Sequence, residues 1–252
     1  TRTSSSAASD VYKRQKSQKK IMKPRVTKKK NPIVVGVASD AAFGFYYPDD
    51  IEEIERHGCR VKKIDLIRET RLPNIDGLFI GGGFPETQAK KLQQNNSMKK
   101  SIHNAINRGL PVYAECGGLM YLANRIKFGK SLTKMCNVFD IDIEMNEKPV
   151  GRGYTILDTD KHPWSMKNKN IHAHEFHYSS VKFNKKRYKY AYNVKRGYGI
   201  NGRKDGLIYK NTIASFSHLR STSKFNWAKY FIKFIEQNLS LIHISEPTRL
   251  DD

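Results

Sequence analysis

Ten residues constrain this chain more than any other stretch: Tyr113-Ala114-Glu115-Cys116-Gly117-Gly118-Leu119-Met120-Tyr121-Leu122. Val112 and Tyr113 are strand formers, Gly117 and Gly118 carry no Cβ to block a sharp turn, and Leu119, Met120 and Leu122 begin a helical apolar pattern. A strand end, a tight turn and a helix start in this order make a nucleophile elbow, with cysteine where the G-x-S-x-G version has serine. A thiol held there meets the unsatisfied N–H groups and the positive dipole end of a helix N-terminus, which favour thiolate. The same N–H groups can receive the oxyanion formed when a carbonyl is attacked. A lone cysteine is also a common buried apolar residue, so a structural role stays open on this stretch alone.

The neighbouring segments say what such an elbow is built into. Ile33-Val34-Val35-Gly36-Val37-Ala38 is a continuous apolar run, suited to a strand buried on both faces of a parallel sheet. A loop over 39–48 follows, then a helix over 49–57 with Pro48 and acidic residues at its start. Strands are predicted over 59–64, 77–80 and 111–115, with helical material from Pro85 to Asn107 between the last two. Short apolar strands alternating with helices imply an α/β sheet whose site lies on loops at the strands' C-terminal ends. Gly81-Gly82-Gly83 closes one of those strands. It can direct backbone N–H groups at a phosphate or an oxyanion, or be a tight turn and nothing more. No G-x-x-x-x-G-K-[ST] loop occurs in the chain; 197–202 has the glycine spacing but runs into Arg203-Lys204.

From 137 to 192 the pattern reads as antiparallel strands, with candidates over 153–157 and 171–179. The second carries His172, His174 and His177, the first two on one strand face and the third on the other. That spread points to a polar site wall or a hydrogen-bonded cluster in preference to a three-histidine metal site, and no metal is expected. A last strand over 212–216 delivers His218, placed to act as general base for a thiol, although an isolated histidine there is more often an ordinary surface residue. An amphipathic helix over 225–239 closes the domain, with Trp227, Tyr230, Phe231, Phe234 and Ile235 as its core stripe.

Charge and composition bound the rest. In 252 residues the formal net charge is +22, and residues 1–30 hold eleven Lys or Arg against one Asp. A second basic run spans 182–204. Basic residues with interleaved aromatics can meet nucleic acid, but no nucleic-acid motif accompanies them, and a solvated face is the favoured reading. Cys59, Cys116 and Cys136 have no paired metal spacing, and an odd, sparse set fits a reducing, cytoplasmic setting. No apolar run approaches the ~18 residues of a membrane span, so no membrane partner is expected. Segments 6–15 and 240–249 resemble translated sequencing-adapter peptides. The expected organisation is therefore a basic tail over 1–30 with a non-native start, one domain over 31–239, and a non-native tail over 240–252, in a fragment of a longer protein.

Five ordered motifs then carry a resemblance. Asp40-Ala41-Ala42-Phe43-Gly44-Phe45-Tyr46-Tyr47, Gly81-Gly82-Gly83-Phe84-Pro85-Glu86, the Cys116 elbow, His174-Glu175-Phe176-His177-Tyr178-Ser179 and Ala214-Ser215-Phe216-Ser217-His218-Leu219 resemble the glutamine amidotransferase domain of cobyrinic acid a,c-diamide synthases. The resemblance implies a flavodoxin-like, class I glutamine amidotransferase fold: a mostly parallel sheet flanked by helices, with an added antiparallel segment. It implies that Cys116 is the nucleophile and His218 the base, that backbone N–H groups of Gly82, Gly83 and Gly117 form the oxyanion hole, and that His174, Glu175 and His177 are substrate-side or structural. Glutamine is the implied substrate, with no cofactor in this domain. The implied partners are an ATP- and magnesium-dependent synthetase domain, normally N-terminal in the same chain, and a tetrapyrrole polycarboxylate. Glutaminases serving cobyric acid synthase, nickel-sirohydrochlorin diamide synthase or a cell-wall amidating enzyme remain alternatives. Most class I members orient the histidine with a glutamate two residues later, where this chain has Arg220; a second histidine is common there in the resembled family, and Ala173 replaces its usual glycine. What orients His218 is left open.

Overall fold

The computed structural model describes residues 31–159 and 162–245, the last five by backbone alone. The expected basic tail over 1–30 lies outside the described residues, as does 246–252. The chain begins with β1 (Val34–Ala38), β2 (Phe43–Phe45), α1 (Pro48–Arg56), β3 (Arg60–Ile64), β4 (Gly77–Ile80) and β5 (Gly82–Gly83). A 3-10 turn (Pro85–Gln88) leads into α2 (Ala89–Gln94), α3 (Asn96–Asn107), β6 (Val112–Glu115) and α4 (Gly117–Leu122). There follow β7 (Arg125–Phe128), β8 (Ser131–Lys134), β9 (Ile141–Met145), β10 (Gly151–Thr159), β11 (Ile171–His177) and β12 (Ser179–Phe183). The last elements are β13 (Lys189–Arg196), β14 (Lys204–Tyr209), β15 (Thr212–Ser215) and α5 (Trp227–Ser245).

Nine of these strands form one sheet in the order β3-β1-β4-β6-β15-β14-β13-β10-β11. The first five are mutually parallel, and taken in chain order they read 2-1-3-4-5, the flavodoxin-like order. From β15 outward the pairing is antiparallel. This is the expected α/β architecture with its added antiparallel segment. The continuous apolar runs follow from burial on both faces. Leu78, Ile80, Val112 and Ala114 enter the core that also contains Leu92, Ile102 and Leu119 of α2, α3 and α4. Phe79 and Tyr113, from the same strands, and Ile213 of β15 enter the core that holds Ile54 of α1 and Phe231 of α5. Trp227 anchors that second core, 5.1 Å from the Phe79 ring and 4.9 Å from the Tyr113 ring.

Several expected boundaries move, for local reasons. The helical stretch after Pro85 breaks at Asn95, whose Oδ1 caps α3 by accepting from Met98 N at 3.2 Å while its Nδ2 donates to the carbonyls of Leu66 and Glu69. The single strand expected over 171–179 divides at Tyr178, where β11 leaves the large sheet and β12 enters a four-stranded sheet ordered β12-β9-β7-β8. Asn146 holds the crossover, its backbone N–H and side-chain Nδ2 both donating to Tyr178 O, at 2.8 and 2.9 Å. Helix α5 continues to Ser245, past the boundary expected at 239. The second basic run lies on β12, β13 and the turns around them, where Lys195 pairs with Asp158 at 3.0 Å and Lys204 bonds Asn193. Among the described residues no helix is long and apolar enough to cross a membrane.

Candidate active site

The parallel order brings the C-terminal ends of β1, β4, β6 and β15 together, and the chain leaves β6 through the elbow. Cys116 has φ 47° and ψ −98°, a backbone region costly for any residue with a Cβ. Tertiary contacts hold it there: its N–H donates to Ser215 O at 2.7 Å, and its carbonyl accepts from Met120 N at 3.1 Å. The glycines after it are required by close approach. A Cβ on Gly118 would lie 2.2 Å from Ile80 O, and one on Gly117 would lie 3.0 Å from Gly83 N. The second figure also shows that the backbones of Gly117 and Gly83 pass close to one another. Helix α4 has only six residues, so the dipole expected to act on the thiol is short. The Sγ lies 3.9 Å from Phe176 O, and the ionisable neighbour of the thiol is His218.

His218 follows the end of β15 and is buried between Cys116 and Glu115, with Nδ1 3.2 Å from Glu115 Oε2. Burial alone would lower its pKa; the hydrogen bonds to Cys116 and Glu115, reinforced by their charges, outweigh this and push it up to about 10. Since Nδ1 faces Glu115, the nitrogen left for Cys116 is Nε2. The edge of the Phe45 ring packs on the imidazole at 4.9 Å. Gly82 leaves the ring its room, since a Cβ there would lie 2.5 Å from His218 Cε1. Arg220 takes no part in orienting the ring: it pairs with Asp49 at 2.6 Å and lies over the Tyr47 ring.

The loop carrying His218 has its backbone donors taken in succession. Phe216 N and Ser217 N donate to Asp205 at 3.0 and 2.9 Å. His218 N donates to His174 O at 2.7 Å, Leu219 N to Glu115 Oε1 at 2.9 Å, and Ser221 N to Asp50 Oδ1 at 2.6 Å. Asp205, Glu115 and Asp50 are all buried. None of the three was singled out from the sequence. Glu115 had the clearest signal, a charged residue ending an apolar strand, because such groups stay buried only when paired.

The His-Glu-Phe-His segment divides by strand alternation. His174 flanks His218, with ring centroids 6.4 Å apart, and burial followed by the charge of His218 lowers its pKa. Glu175 and His177 point the other way. Glu175 accepts from Tyr198 N and Gly199 N at 2.7 and 2.8 Å. Burial would raise the pKa of this carboxyl, but His177 and those two amides outweigh it and hold the pKa below the ordinary value. His177 stacks on Phe216 at 3.8 Å and bonds Ser179 O at 2.8 Å, so both residues brace the sheet behind the site. Cys116, His218, Gly82, Gly83, Gly117 and His174 are thus gathered, and Glu175 and His177 are not. A cavity of about 780 Å³, bounded by Tyr47, Tyr154, His174, His218 and Arg220, opens beside the imidazole. Among the described residues no cluster of three or more His, Cys, Asp or Glu is placed to hold a metal ion. A buried thiol beside a carboxylate-backed imidazole can attack a carbonyl, and backbone N–H groups of glycine turns are the kind of donor that stabilises the resulting oxyanion.

Residues 34–225 match the CobB/CobQ-like glutamine amidotransferase domain. Cobyrinate a,c-diamide synthase of Magnetococcus marinus is 40% identical over 204 residues, covering 81% of this chain and 44% of that protein. Its counterpart from Archaeoglobus fulgidus is 35% identical over 206 residues, with the same coverage of 81% and 44%. The chain therefore spans less than half the length of these relatives. Among solved structures, a PurLQS chain from Thermotoga maritima aligns with TM-score 0.60 at 14% identity, covering 83% of this chain and 100% of that one. A glutamine amidotransferase from the same organism aligns with TM-score 0.52 at 12% identity, covering 85% and 87%. At these identities the likeness is one of fold.

Proposed function

The chain belongs to the CobB/CobQ-like glutamine amidotransferase domain family, and from that premise we propose that it hydrolyses glutamine at Cys116 and supplies the ammonia for amidating a tetrapyrrole polycarboxylate. The acceptors on this reading are the a and c carboxylates of cobyrinic acid or a close relative, in cobalamin biosynthesis. ATP and magnesium act on the synthetase portion of such proteins, in the cytoplasm. The relatives' shared name, cobyrinate a,c-diamide synthase, favours this acid over those of other amidating partners.

The chemistry follows from the contacts. His218 Nε2, on a ring whose pKa is pushed up to about 10, takes the thiol proton of Cys116 ahead of the attack. Sγ then adds to the side-chain amide carbon of glutamine, and the carbonyl oxygen takes the negative charge to the N–H groups of Gly117 and Gly83. His218 then returns the proton to the amide nitrogen, the C–N bond breaks, and ammonia leaves behind a thioester. Water gives a proton to His218 and its oxygen attacks the same carbon; the C–S bond breaks, the thiol is restored and glutamate departs. General acid–base catalysis of this kind contributes about 10²–10⁴-fold, and each oxyanion donor about 10²–10³-fold.

The observation that carries the reading is a cysteine held on a strained elbow beside a buried histidine whose Nδ1 faces a buried carboxylate. Incubating the chain with an electrophilic glutamine analogue and reading the intact mass tests it. A single adduct is expected, absent in Cys116→Ala and slowed in His218→Ala; an adduct that survives Cys116→Ala would assign the chemistry elsewhere.

A further inference from the structure

We propose that Glu115 is the positioning residue of this site, holding His218 in the tautomer that leaves Nε2 free to take the thiol proton. The inference rests on the Cys116–His218 reading above. Glu115 is 3% exposed and closes a strand that is otherwise apolar. Its carboxylate is fixed by two donors from different elements, Tyr113 OH at 2.7 Å and Leu219 N at 2.9 Å, both on Oε1. That leaves Oε2 directed at His218 Nδ1, 3.2 Å away. A carboxylate oxygen only accepts, so the neutral imidazole keeps its proton on Nδ1 and presents a lone pair at Nε2. When Nε2 takes the proton from Sγ, the resulting imidazolium sits beside the same carboxylate.

The position of Glu115 in the chain adds a mechanical reason. It directly precedes Cys116, so nucleophile and orienting carboxylate ride on one strand end, and Leu219 N ties the histidine loop to that same carboxylate. Arg220, two residues past the histidine, is turned out to Asp49 and leaves no competing carboxylate on the ring from its own loop. Nothing else seen to bond Nδ1 would select its protonated form. With an amide at 115, the side-chain N–H would donate to Nδ1 and move the ring proton to Nε2, where it blocks transfer from the thiol.

Three forms of the 252-residue chain test this: wild type, Glu115→Gln and Tyr113→Phe. The rate of Cys116 modification by the electrophilic glutamine analogue is read by intact mass, and the His218 ring tautomer by ¹⁵N chemical shifts in histidine-labelled protein, in a pH titration carried above the His218 pKa of about 10 so that the ring is neutral, assigned by difference with His218→Ala. In a serine–histidine–aspartate triad the carboxylate-to-amide change lowers turnover about 10⁴-fold through the wrong tautomer. Glu115→Gln is therefore expected to react at least ~100-fold more slowly, with the ring proton moved to Nε2. Tyr113→Phe, which removes one of the two anchors of Oε1 and leaves the carboxylate in place, is expected to slow the reaction by less than Glu115→Gln does and to keep the Nδ1–H form. Wild-type rate or an unchanged tautomer in Glu115→Gln would overturn the proposal. If that variant does not fold, an Nε2–H tautomer in wild type overturns it alone, and an Nδ1–H tautomer coupled to a carboxylate supports it. An unreactive wild type would instead refute the glutaminase reading, with the tautomer still deciding what Glu115 does.

Discussion

Replacing Gly82 by alanine should disable the site through one methyl group. An ideal Cβ there lies 2.5 Å from His218 Cε1, 3.3 Å from Nε2 and 3.3 Å from Phe45 Cβ. Carbon atoms rest at about 3.5–4.0 Å, so the ring or β5 must retreat by roughly 1 Å. The imidazole has little freedom to comply. It is 5% exposed, bonded to Glu115 at 3.2 Å and edged by Phe45 at 4.9 Å. Misplacing a catalytic group by about 1 Å can lower the rate 10²-fold, and overpacking of this kind destabilises by about 1–3 kcal/mol. The assay is the rate of Cys116 modification by the glutamine analogue, alongside a thermal melt. Gly44→Ala, also in the β2–β5 ribbon but with nothing within 4 Å of its Cβ, is the control and should behave as wild type. Gly82→Ala reacting within twofold of wild type, with an unchanged melt, would refute the placement of His218 against this glycine.

Cys116→Gly should be more stable than Cys116→Ala by about 1 kcal/mol or more, because φ 47° suits glycine and strains any residue with a Cβ; equal chemical-denaturation midpoints would remove the strain argument. Asp205→Ala should destabilise by about 3 kcal/mol or more, since Gly206 N, Phe216 N and Ser217 N all lose their buried acceptor, and urea titration would read the loss. Burial, the leading cause, raises the Asp50 pKa from 3.8 to about 7, against the pull of its bond from Ser221 N, so the folded state holds that proton more tightly than the unfolded chain. Stability from this group is accordingly present at low pH and lost as pH rises from about 4 to 7. The advantage of Asp50→Asn over wild type should thus be on the order of 2 kcal/mol larger at pH 8 than at pH 5, and a pH-independent difference in melting would count against it.

Much of this protein was legible in its residues. The doubly buried strands announced themselves as unbroken apolar runs, because each must face a core on both sides, and Cys116 announced itself through the glycines that its turn demands. The antiparallel part was less legible: β13 and β14 bury only some of their residues, and Lys and Arg on the exposed face hide the alternation. The split of β11 from β12 at Tyr178 was invisible, since one strand and two strands in different sheets share the same local preference. At the site, residue type and order pointed to Cys116 and His218 but not to what joins them. Alternation along the strand already set His174 and His177 on opposite faces, but only the place of β11 in the sheet decided that the His174 face meets His218 and that Glu175 and His177 brace the sheet. Glu115 lies 103 residues before His218, and Asp50 lies 171 before Ser221, so no spacing rule links them. Local backbone chemistry is written in neighbouring residues and can be read from them. Which buried carboxylate meets which histidine depends on the order in which parallel strands assemble, and that is decided by the packing of the whole sheet.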